Sequence, residues 1–146
     1  MKKSSKRKPR PIYNPMIVVN HTCGDELEIA NWNTLNAFTH GVADEAHYKH
    51  FVDMANILQI AGQLRPQYSL MAEFIINEVI PLLEAVKERL ARIGKLGLAG
   101  GDLDILREFI MLYTAFWKQE TSGFLVECQQ QMQLFYAELV KNGVTV

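Results

Sequence analysis

The chain has 146 residues, enough for one domain that buries a core without a metal or disulfide staple. Apolar residues make up 49% and charged residues 21%, a balance that excludes wholesale disorder. The formal net charge of −1 conceals a division: residues 1–11 carry six of the 15 basic side chains and no acid. The remaining 135 residues hold 9 basic and 16 acidic side chains, a net −7.

The first 16 residues read as a basic arm. They lack apolar periodicity and carry Pro9, Pro11 and Pro15, which fix φ and push the preceding residues toward extended backbone. Met16-Ile17-Val18-Val19 is too short for the apolar core of a signal peptide, and no run reaches the length of a membrane span. The expectation is therefore a soluble chain that works in the cytoplasm, without a membrane partner. Residues 17–146 read as a single helical domain, with Ile12, Tyr13 and Met16 to Val19 as an apolar tether between arm and body.

The first helix is expected to start near Cys23-Gly24. Thr22 would be its N-cap, and Asp25, Glu26 and Glu28 would lie in the first turn, where acids complement the helix dipole. Leu27, Ala30, Leu35 and Phe38 mark its buried stripe, and His40-Gly41 its end. A second helix runs from about Asp44 to Ile60 on Tyr48, Phe51, Val52, Ala55 and Leu58, with Gly62 and Pro66 bringing it to a stop. The third, with Ser69 as its candidate cap, carries Met71, Ile75, Val79, Leu82, Val86, Leu90 and Ile93. This strongest stripe predicts the central helix, kinked at Pro81. Residues 94–101, with four glycines, form the main break. From Asp102, read as a cap, the apolar register persists through Thr121-Ser122-Gly123 to Leu139. That favours one long bent helix, with a break at Ser122-Gly123 as the alternative. The sum is an all-α antiparallel bundle of four to five helices.

The arm is the strongest functional signal. Lys2, Lys3, Lys6, Arg7, Lys8 and Arg10 place six cations in nine residues, a density suited to displacing counterions from nucleic acid or a nucleoprotein complex. Charge of this kind positions a protein without reading bases. Lys87, Arg89, Arg92 and Lys95 form a second basic cluster at the end of the third helix. Cations there complement the dipole, and they could also join the arm in gripping one anionic partner.

Asp44, His47, His50 and Asp53 are metal-ligand types, but successive three-residue steps sweep around a helix, so they read as exposed or capping side chains. Cys23 and Cys128 lie in no metal or redox spacing and read as reduced thiols, a long-range disulfide being the alternative. His21 beside Cys23 does not make a catalytic triad, and the glycine-rich loop lacks the phosphate-loop pattern. No catalytic residue, metal or cofactor is expected. Gln129, Gln130, Gln131 and Gln133 form a neutral strip facing solvent or another subunit, and a homodimer through the C-terminal helix is one expectation.

Two stretches belong together: Lys8-Pro9-Arg10-Pro11 followed by Tyr13-Asn14-Pro15, and Tyr48-x-x-Phe51-x-x-Met54-Ala55-Asn56-Ile57-Leu58. They resemble small, uncharacterised prophage-encoded proteins of proteobacteria that pair a Lys/Arg/Pro-rich leader with a helical body. The likeness covers the first 60 residues, with Tyr48 where that pattern has tryptophan. It implies a phage or mobile-element setting, in which small helical proteins act as regulators or inhibitors of host machinery, anti-CRISPR proteins among them. It carries over no functional residue.

Overall fold

The computed structural model describes residues 21–144, with side chains from residue 25 onward. These form α1 (His21–Thr39), α2 (Glu45–Leu64), a 3₁₀ turn (Pro66–Tyr68), α3 (Ser69–Phe74), a π-helical turn (Ile75–Val79), α4 (Ile80–Ile93), α5 (Asp102–Gln119) and α6 (Ser122–Lys141). Because α3, the π turn and α4 run on without a gap, the bundle consists of five rods. All-α architecture thus holds.

Local chemistry accounts for most boundaries. Asp44 caps α2, its carboxylate accepting from the His47 amide at 3.1 Å while His47 Nδ1 accepts from the Asp44 amide at 3.0 Å. This reciprocal box satisfies two amides that the helix start leaves orphaned. Arg65, held extended before Pro66, ends α2. Gly94, at φ +75°, closes α4 in the left-handed region open to a residue without Cβ.

Five expectations need correction. α1 begins at His21, which places Thr22 inside its first turn, and no acid lies in that turn. Asp25 and Glu28 instead reach across to Lys118 of α5, each at 3.1 Å. Gly62 does not terminate α2 but lies inside it, where the chain crosses α3 closely: a Cβ there would fall 2.3 Å from that of Ala72. Ser69 is not a cap; the 3₁₀ turn feeds the helix from Tyr68, without a side-chain bond at its start. Asp102 is the first residue of α5, with Gly101 at the cap, and its carboxylate turns back onto the loop. Finally, α5 and α6 are separate: Glu120 and Thr121 are extended, and Thr121 caps α6 through its hydroxyl, which accepts from the Phe124 amide at 3.3 Å.

The disturbance expected at Pro81 takes the form of the π turn immediately before it. Proline lacks an amide and crowds the carbonyl one turn back, and a widened turn is one way a helix absorbs both.

The centre of the bundle is α2 and not the third rod. It packs against α1, α3, α4 and α6. Phe51 reaches α5 as well, its ring stacking on Phe38 at 5.4 Å and tilting against Phe109 at 5.9 Å. Phe51, Met54, Ala55, Leu58 and Ala61 are buried on α2, and Ile75, Val79, Leu82, Leu83 and Val86 face them from the third rod. The third rod runs antiparallel to α2: Tyr48 donates to the Leu83 carbonyl near one end of α4, while Gly62 meets Ala72 at the other end of the crossing. Phe109, Tyr113 and Phe116 are buried on α5.

Candidate functional site

Lys2, Lys3, Lys6, Arg7, Lys8 and Arg10 lie outside the described residues. Of the second basic cluster, Lys87, Arg92 and Lys95 are exposed. Lys87 and Arg92, five residues apart, project roughly 140° from each other around an ideal helix, and Lys95 follows the end of α4, so the three do not share one face. Arg89 turns inward. Its guanidinium donates to the Gly97 carbonyl at 2.9 Å and to Asp102 at 3.2 Å, and Asp102 also accepts from the Ala99 amide at 2.7 Å. This clamp pins the glycine-rich loop between α4 and α5 and commits Arg89 to holding the fold. Other cations of the body are similarly engaged. Lys118 bridges Asp25 and Glu28, Lys49 pairs with Asp53, and Arg65 lies over the Phe124 ring at 4.0 Å.

The histidine–carboxylate series disperses, as the helical step required. Asp44 and His47 form the capping box, and the bond from the His47 amide holds the Asp44 carboxyl below its usual range. His50 points into the α1–α2 interface, where its Nε2 lies 2.8 Å from Asn31 Oδ1. Burial lowers its pKa below the ordinary value, with Asp53 opposing the shift. Asn31 is fully buried on α1, yet its Nδ2 has no partner among the described residues, nor does the buried Thr114 hydroxyl. Among the described residues no group of three or more His, Cys, Asp or Glu side chains converges as a metal site. Cys128 is a free, buried thiol.

Two polar constellations were not anticipated. Glu120, buried in the extended link, accepts from the Tyr68 hydroxyl and from the Thr121 amide, and Tyr68 stacks on Phe124 and meets Phe116 edge-on. Between α2 and α6, the Tyr136 hydroxyl donates to Asp53 at 2.6 Å and accepts from Asn56 at 2.8 Å, while Lys49 reaches Asp53 at 3.1 Å and lies over the Tyr136 ring. Burial and the Asp53 bond push the Tyr136 hydroxyl up to about 12. No local sequence signal marks these pairs, whose members stand 52 and 83 residues apart.

Along that seam the surface opens into two adjoining grooves of about 510 and 460 Å³, sharing Asn56 and Phe135 in their walls. Leu134, Phe135 and Val140 are exposed on this outer half of α6, and Gln129, Gln130, Gln131 and Gln133 are exposed as expected. No helix among the described residues is long and apolar enough to cross a membrane. The chain matches no protein-family model, no curated protein and no solved structure.

Proposed function

We propose that this is a non-enzymatic accessory protein of a phage or mobile element, which binds nucleic acid or a nucleoprotein complex through residues 2–10. The partition of charge carries this reading. Six cations crowd into the first eleven residues without an acid, whereas the remainder is net −7 and spends Lys49, Arg65, Arg89 and Lys118 on internal contacts. The arm is therefore the chain's one dense source of positive charge for a polyanion. Several acid–base side chains of the body are occupied with one another: His47 in a cap, His50 with Asn31, Asp53 with Tyr136, Glu120 with Tyr68. Lys87, Arg92 and Lys95 add diffuse attraction without a shared face.

The test is a salt series of nucleic-acid binding with and without residues 2–10. Six phosphate contacts give a slope of log K against log salt of about −4 to −5, depending on strandedness, and deletion should flatten it. Absence of any gel shift at low salt, with single- or double-stranded DNA or RNA, overturns the reading. A second reading, a protein-binding inhibitor of host machinery or an assembly factor, draws on the exposed apolar side chains of α6. Capture of the same host partner after nuclease treatment and arm deletion favours it over the first.

A further inference from the structure

One row of side chains on α6 stands largely outside the packing among the described residues. Val126, Gln130, Gln133, Ala137 and Val140 follow at steps of four, three, four and three, the alternation with which a helix presents a seam to another helix. They point away from the face that Phe124, Leu125, Cys128 and Met132 bury against the body; Val126 is half-buried and the other four are exposed. Only three of the 20 residues of α6 are charged: Glu127, Glu138 and Lys141. Two of them, Glu127 and Lys141, stand seven residues to either side of Leu134, all three in one row flanking the seam, and Leu134 is 63% exposed.

We propose that this face binds a second copy of the chain, the two α6 helices packing antiparallel about a two-fold axis near Leu134. In an antiparallel pair the flanking row meets its own copy. Leu134 then meets the partner's Leu134, and Glu127 meets the partner's Lys141, twice by symmetry. Gln133 faces the partner's Ala137 across the seam, and Gln130 faces the partner's Val140. A parallel pairing brings neither Glu127 nor Lys141 to an opposite charge, so the charge pattern selects orientation as well as partner. The glutamines in the seam and its short length hold the dimer at the transient end, with a Kd on the order of 10 μM. This inference does not depend on the arm or on nucleic acid.

Sedimentation equilibrium of the full, nuclease-treated chain up to about 50 times that Kd tests it. Nuclease treatment keeps nucleic-acid bridging from imitating the dimer, so failure here and failure of the arm's role are told apart. The expected result is a monomer–dimer equilibrium that Leu134→Glu abolishes. Glu127→Lys should weaken it about tenfold at low ionic strength, because two exposed ion pairs become two repulsions, and adding Lys141→Glu should restore it. All three positions are exposed, and unchanged circular dichroism shows that the variants fold. A monomer at every concentration overturns the proposal. So does a dimer indifferent to Leu134→Glu, or one in which the second charge reversal fails to rescue the first.

Discussion

Gly62→Ala sets two opposed effects against each other at the crossing of α2 and α3. Taken alone, removing a glycine from a helix interior stabilises by about 1 kcal/mol. Here the new methyl would lie 2.3 Å from the Ala72 Cβ and 3.2 Å from the Tyr68 carbonyl oxygen. Carbon atoms pack best at about 3.5–4.0 Å, so the two helices must part by more than about 1 Å. The obstacle is a Cβ fixed to the opposing backbone, which no rotamer change can move aside. Overpacking of this kind costs about 1–3 kcal/mol, and the upper end applies because the Tyr68 backbone crowds the same methyl. The net expectation is a loss of about 2 kcal/mol, or roughly 4–8 °C in Tm for a chain of this length. Urea unfolding followed by far-ultraviolet circular dichroism measures it. Ala72→Gly in the same chain should recover part of the loss, since the nearest carbon then becomes the residue 72 Cα at 3.7 Å. A Gly62→Ala variant as stable as the native chain, or about 1 kcal/mol more stable, would refute the close-packed crossing.

Three further outcomes follow from contacts elsewhere. The folded pKa of His50 lies below the ordinary 6.5, so the unfolded chain takes up protons first as pH falls; stability should be full above about pH 6.5 and decline below it. His50→Gln should flatten that decline, and an equally steep pH profile in the variant would remove His50 as its cause. Thr121→Ala removes the α6 cap and should cost about 1 kcal/mol, with amide exchange rising first in the opening turn of α6; unchanged exchange there would count against the cap. Cys128, fully buried and with its thiol pushed up to about 12 by desolvation, then by Glu127 and Glu120, should resist alkylation in a Cys23→Ser background until the protein unfolds. Rapid labelling at pH 8 without denaturant would contradict its burial.

Features governed by a few neighbouring residues were legible in the sequence. Asp44 and His47, Gly41, Pro66 and Gly94 set their boundaries through capping chemistry or φ alone, and the helical period revealed the apolar stripes. The break between α5 and α6 escaped because the apolar register runs through it unbroken. What stops α5 is the Glu120 side chain finding Tyr68, a partner 52 residues earlier. Helix one was misjudged at Ala30, which is exposed, and at Asn31, which is buried, because a polar side chain enters the core once His50 is there to meet it. The central role of α2 was hidden for a related reason. Its contacts with α6 run through Lys49, Asp53 and Asn56, which hydrophobic periodicity does not count. The arm's charge density was readable because it is a matter of composition. The inward turn of Arg89 was not, since it depends on how the loop brings Asp102 within reach.

The polar seam between α2 and α6 bears on how the chain is made. Tyr136 leaves the ribosome 80 residues after Asn56 and 83 after Asp53, which at about 5–20 residues per second is a wait of about 4–16 s. Throughout that interval the α6-facing flank of α2 lacks its partner helix. An oily flank would invite neighbouring nascent chains to stick; a lysine, an aspartate and an asparagine stay hydrated until the last helix arrives and exchange water for Tyr136 when it does.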